Sequence, residues 1–423
     1  RHSSGERKIM QRFARLSRFG GRAVHRAVGS RLMSSDGAIP VEREGLRNAR
    51  RVVIKVGTAV VSNSDGTLAL SRLGALVEQL QDLKEEGRQV LLVSSGAVGL
   101  GRLKLGLSKE LVQNTANVTD RQACAAAGQE VLMSTYGLMF QRMGTTCAQV
   151  LITESDLLSR ERYTYLTGTL ERLMELKAIP IINENDVVTG GPSVGARVFT
   201  DNDRLSALLA SGADADGLAL LTDVDAVFNK PPDQPGAERI RVYKPDASVE
   251  IGEKSTMGRG GMASKIAAAR VAALGGVHTC VAGGFDIGNI KKVFSGEDIG
   301  TLFPASGRPN KRQRWLTFAT HAKGVLTVTD LCKKRMIDSN GQDGGYQLNI
   351  SDLIETKGEY GERAVVEIKG QAGGVFARGQ VQMSSEEIKD KIAPQGADGM
   401  PVITFNSSHK VMQDSECVIL ATI

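Results

Sequence analysis

The sequence predicts an α/β fold, a mainly parallel sheet with helices on both faces, followed by a small C-terminal β-barrel domain. Three observations carry this. Between about residues 50 and 303, apolar β-branched runs alternate with amphipathic stretches, the pattern of strands buried on both faces and joined by crossover helices. Glycine-rich or acidic turns follow several of these runs directly, at the strand ends where an open α/β sheet binds its ligands. After Phe303 the apolar runs are short, β-rich and separated by polar loops.

The elements follow in order. Residues 52–56 form a buried β-branched run, 70–86 an amphipathic helix and 89–94 a second strand. Further strands are expected at 147–153, 178–183, 217–222 and 277–282, with helices at 163–176, 204–211 and 263–274 between them. Residues 306–314, with Gly307, Pro309 and a basic cluster, read as a linker. Beyond it, strands are expected at 324–328, 364–369, 374–382, 402–405 and 417–422. The expected divisions are 1–45, 46–305, 306–314 and 315–423.

The formal charge of +6 is unevenly placed. Residues 1–35 hold nine Lys or Arg against the single acid Glu6, which leaves the remainder at −2. A near-neutral body gives no electrostatic support for nucleic-acid binding. Residues 10–35 contain six arginines and no acid, with Phe13, Leu16 and Phe19 at helical spacing. This is the pattern of an organelle transit segment, mitochondrial or plastid, so residues 1–45 are expected to be disordered; without such a segment the chain would be cytoplasmic. No apolar run approaches the ~18 residues that span a bilayer, so no membrane association is expected. Five scattered cysteines without a CxxC pair imply reduced, mostly buried thiols. None of the five histidines stands beside a nucleophile in the sequence, which argues against a Ser-His-Asp hydrolase.

The chemistry is expected in the turns. Lys55-Val56-Gly57-Thr58 puts a lysine and glycine at a strand end, where backbone amides approach an anion. The turn Ser94-Ser95-Gly96-Ala97-Val98-Gly99 offers small residues and hydroxyls but departs from GxGxxG. Two acidic, amide-rich turns follow, Asn183-Glu184-Asn185-Asp186 and Asp201-Asn202-Asp203. Buried and unpaired, such groups are costly; binding a substrate ammonium or ordering a lysine removes the cost. The bland reading is a solvated loop, with Asp203 capping the next helix. Thr222 and Asp223 end another strand. Finally, Arg259, Gly260, Gly261, Met262, Ala263, Ser264 and Lys265 open a helix as a phosphate cradle without Walker A spacing.

In this order the segments VVIKVGTAVV, LLVSSGAVGLGR, PIINENDVV, FTDNDRLSALLA, LLTDVDAVF and RGGMASKIAAA resemble the amino-acid kinase family, and within it the glutamate 5-kinases. They are also similar to the kinase half of plant pyrroline-5-carboxylate synthases. KRQRWL, GVLTVTD and GGVFARGQVQMSSEEI in the tail are similar to the PUA domain attached to many microbial members. Leu331-Cys332-Lys333-Lys334 stands where such domains carry a glycine- and alanine-rich helix.

The resemblance implies ATP-dependent phosphorylation of the L-glutamate side-chain carboxylate, the first step of proline synthesis. Mg²⁺ would be held by ATP phosphates, with no direct protein ligand. Lys55, Lys265 and Asp203 match the catalytic positions, with Asp203 holding the lysines. Ser95, Asp186, Asn202 and Asn183 match or neighbour the glutamate-binding positions. Thr222, Asp223 and residues 259–265 match the nucleotide-binding segments. It further implies inhibition by proline, a dimer or tetramer, and a separate glutamyl phosphate reductase. RNA binding through Trp315 and the basic cluster Lys311, Arg312 and Arg314 is the disfavoured alternative.

Overall fold

The computed structural model describes residues 40–113, 118–189, 201–244, 261–307, 314–316, 322–339, 347–392, 410–413 and 417–419. The transit-like residues 1–39, the cradle residues Arg259 and Gly260, Lys311 and Arg312, and the expected strand 402–405 lie outside them.

The folded body begins earlier than the expected boundary at residue 46. Val41–Arg43 and Glu44–Arg47 are short helical turns, and Arg43 and Leu46 are buried. Leu46 joins the core, and Arg43 pairs with Asp298 at 3.3 Å.

Seven strands form one sheet: β1 (Arg51–Val56), β2 (Gln89–Ser94), β3 (Cys147–Ile152), β4 (Ile179–Glu184), β5 (Gly217–Thr222), β6 (His278–Gly283) and β7 (Thr301–Phe303). Their order is β3-β4-β2-β1-β5-β6-β7. All neighbours are parallel except β6 and β7. The chain runs outward from β1 to β2 and later returns to β5 on the other side, so β1 lies at the switch in strand order. Ligand crevices form at the carboxyl ends of strands flanking such a switch.

The period of two along each strand divides its apolar residues between two cores. Val52, Ile54 and Val56 enter one with the helix Leu70–Glu85 and the long helix Val118–Arg142. Val53 enters the other with the helices Arg160–Glu175, Asn202–Gly212 and Met262–Leu274. Burial of both faces explains why the strands read as unbroken apolar runs.

The C-terminal part holds additional sheets compatible with a small β-rich domain. Strands β8 (Gly324–Val328), β9 (Gln347–Asn349), β10 (Leu353–Lys357), β11 (Val365–Gly370), β12 (Val375–Gln380), β13 (Lys410–Gln413) and β14 (Cys417–Ile419) make two sheets. One is five-stranded, β10-β8-β11-β12-β14, and the other pairs β13 with β9. They do not close into a barrel among the described residues. A helix, Asp330–Asp338, occupies the position of the departing LCKK segment, with Thr329 accepting from the Cys332 amide at its start. Residue 314, expected in the linker, instead has a buried arginine paired with Asp214. Trp315 is buried against Leu316 and Val365, with Arg160 over its ring. It is therefore withdrawn from any surface on which a base could stack.

Candidate active site

The carboxyl ends of β1, β2, β4 and β5 and the starts of two helices enclose one cleft, lined among others by Lys55, Ser95, Asn183, Asp186, Asp203 and Lys265. The expected residues Asn202, Thr222 and Asp223 line it too.

Asp203 sits at its floor. The helix expected to start near residue 204 starts at Asn202, and Asp201 is its cap, accepting from the Asp203 and Arg204 amides at 3.1 Å each. With that task taken by Asp201, the Asp203 carboxylate is free to hold cations. It pairs with Lys55 and, at 3.1 Å, with Lys265. All three residues are buried, Asp203 at 1% exposure. Burial works to raise the Asp203 carboxyl, but the charges of Lys55 and Lys265 outweigh it and hold the group below the usual carboxylate range. Ser264 adds a longer contact to the same carboxylate at 3.4 Å. Gly261 is the N-cap of the helix carrying Lys265 and supplies no side-chain cap, so amides at that helix start remain for a ligand.

A chain of amides forms the opposite wall. Asn202 Nδ2 donates toward Ser94 O at 3.1 Å, Ser95 Oγ at 2.8 Å and Asn183 Oδ1 at 2.9 Å. Asn183 Nδ2 donates to Gln129 Oε1 at 2.9 Å, and Asn183 Oδ1 also accepts from the Glu184 amide. The match of Asn202 to a glutamate-binding position leaves open which of its amide atoms faces a ligand. Its two N–H bonds are directed at protein oxygens, so what that amide offers a ligand is Oδ1. Ser95, accepting from Asn202, keeps its own O–H to donate. Asp186 lies 4.0 Å from Arg121, and Thr222 Oγ1 donates to Asp223 at 2.8 Å.

Glycines hold the walls together. Gly96 has φ +112°, and a Cβ there would stand 2.8 Å from Val61. Gly101 and Gly128 let the helix Ala97–Lys104 lie backbone to backbone on Val118–Arg142; a Cβ on Gly128 would fall 1.8 Å from Ala97 O. This contact brings Gln129 to the site. Gln129 and Arg121 escaped the sequence reading because they lie within a long helix rather than in a turn after a strand.

The chain belongs to the amino acid kinase family, whose family model matches residues 50–283. Among curated relatives, the glutamate 5-kinase of Bifidobacterium adolescentis is 36% identical over 388 residues, 89% of this chain and 98% of that protein. The glutamate 5-kinase of Moorella thermoacetica is 39% identical, covering 82% of this chain and 90% of its own. The delta-1-pyrroline-5-carboxylate synthase of Solanum lycopersicum is 39% identical over 74% of this chain, which spans 45% of that protein's length. Among solved structures, isopentenyl phosphate kinase is 17% identical, with 60% of this chain and 99% of that one covered and a TM-score of 0.42.

Proposed function

We propose that this protein uses ATP to phosphorylate the side-chain carboxylate of L-glutamate, giving glutamyl 5-phosphate for proline synthesis. The observation that carries the reading is the buried Lys55–Asp203–Lys265 trio facing the Ser95–Asn183–Asn202–Asp186 wall across one cleft. The relatives named glutamate 5-kinase supply the substrate.

A carboxylate nucleophile is ionised at neutral pH, with a reference pKa of ~4.3, so no general base is required. The barrier is repulsion between two anions, and catalysis rests on positioning and charge. Each lysine ammonium has three donors; one points at Asp203, leaving others for the transferring phosphoryl oxygens. Asp203 keeps the two cations side by side at fixed spacing. The uncapped helix start at Gly261, together with Lys55 and Lys265, fits the phosphates of ATP. Mg²⁺, carried on those phosphates, would neutralise part of their charge. On the other wall, Ser95 O–H donates to a substrate carboxylate, while Asp186 and Asn202 Oδ1 take its ammonium. Thr222, Asp223 and residues 259–264 complete the nucleotide side.

Inhibition by proline, a dimeric or tetrameric state, a PUA-like role for residues 315–423, an organellar address in residues 1–45 and a downstream reductase belong to the same proposal. The deciding measurement is ADP release with ATP, Mg²⁺ and L-glutamate, against aspartate and N-acetylglutamate, with and without proline. Glutamate-dependent turnover is expected, and proline is expected to suppress it. Turnover with another acid only would refute the substrate.

A further inference from the structure

We propose that Gln129 is a positioning residue for the acceptor-substrate wall, an inference that rests on the function proposed above. Two backbone groups fix the polarity of that wall. Ser94 O can only accept, so the Asn202 atom facing it at 3.1 Å must be Nδ2. The Glu184 amide can only donate, so the Asn183 atom facing it at 2.9 Å must be Oδ1. Amide orientation is thus set by the network rather than by choice. Between these anchors, Asn183 Oδ1 accepts from Asn202, and Asn183 Nδ2 is turned toward Gln129.

Gln129 Oε1 is the acceptor that receives this end of the chain, at 2.9 Å in a buried setting. Gln129 is 9% exposed and Asn183 3%. Without that acceptor, a buried Asn183 N–H loses its partner, a costly state that a rotated side chain relieves. Rotation withdraws Oδ1 from Asn202, which in turn frees Asn202 from its hold on Ser95. Gln129 thereby fixes which atoms Asn202 and Ser95 present, at one remove from the ligand. Its own place is set by Gly128, whose backbone lies against Ala97, the first residue of the helix that follows Ser95 and Gly96. One helix thus supports both the serine and the amide wall.

The test compares Gln129→Leu, which keeps bulk without an acceptor, with Gln129→Glu, which keeps Oε1. The Leu variant is expected to raise KM for glutamate at least tenfold, with KM for ATP within twofold of the parent. The Glu variant is expected to bring the glutamate KM back to within threefold. A parental KM in the Leu variant, an equal rise for both substrates, or identical behaviour of the two variants overturns the proposal. If the parent itself fails to turn over glutamate, the functional reading falls separately. A crystal structure of the Leu variant then decides: a rotated Asn183 supports the proposal, and an undisturbed Asn183–Asn202–Ser95 chain overturns it.

Discussion

Arg51 and Lys55 stand at the two ends of β1 and grip the same helix from opposite ends. Lys55 pairs with Asp203 in its first turn. Arg51 donates to Ala213 O, just beyond its last residue, while also bonding Gln89 at 2.8 Å. Residues four apart on a strand share a face, and Val53 between them packs into the core that this helix helps to form.

Lys265→Ala should lower kcat at least tenfold with the fold intact, since loss of one contact to developing charge typically costs ~2.7–4 kcal/mol. Steady-state kinetics and circular dichroism check both halves. Near-normal turnover would remove Lys265 from the phosphoryl-transfer step.

Asp203→Asn should be worse for the protein itself. Two buried ammonium groups would share a neutral amide, and breaking a buried pair typically costs ~3–5 kcal/mol. Thermal melting should fall by several degrees; an unchanged melting point would mean that water reaches the lysines freely.

The same carboxylate gives a pH dependence of defined sign. Its folded pKa is depressed below the ordinary 3.8, so its contribution is present above that value and lost as pH falls through the lower folded one. His278 adds a milder slope nearer neutrality, because burial lowers its pKa from 6.5, partly opposed by Asp216. Its contribution is present above pH 6.5 and lost as pH falls through the folded value. Melting curves of the parent and of His278→Gln between pH 7.5 and 5 should diverge in slope, and parallel curves would contradict the His278 part.

Gly128→Ala should be destabilising by about 1–3 kcal/mol, the range for overpacking, because the added Cβ meets backbone rather than a movable side chain. It should also raise KM for glutamate by displacing the start of the helix Ala97–Lys104 and Ser95 just before it. Chemical denaturation with kinetics reads both, and a variant as stable as the parent would show that the two helices separate without cost.

The strands and helices around the cleft were legible because their burial is written as residue period, and Lys55, Ser95, Asn183, Asp186, Asn202, Asp203, Thr222, Asp223 and Lys265 line one cleft. The roles of individual atoms were not legible. Asp203 could also be read as a helix cap, and only the register of the helix start, two residues earlier than expected at Asn202, assigns that task to Asp201. Which amide atom Asn202 presents is set by its three oxygen neighbours, which no sequence pattern reveals. The long helix carrying Gln129 was missed because only its second half buries large side chains, Leu132, Tyr136 and Phe140, while its first half packs through Cys124, Ala125 and Gly128. In the tail, short strands gave weak period signals, and the helix Asp330–Asp338 lay in a segment read as β-rich.

The helix that bears Asp203 can also be regarded as a lever. Its 11 residues span about 16 Å at ~1.5 Å rise each, so a tilt of about 4° about one end displaces the other by about 1 Å. Misplacement on that scale can cost ~10²-fold in rate. The far end is where Arg314 meets Asp214 and where Tyr163 lies against Gly212. A tilt of that size about the far end would move the carboxylate that spaces the two lysines by about 1 Å.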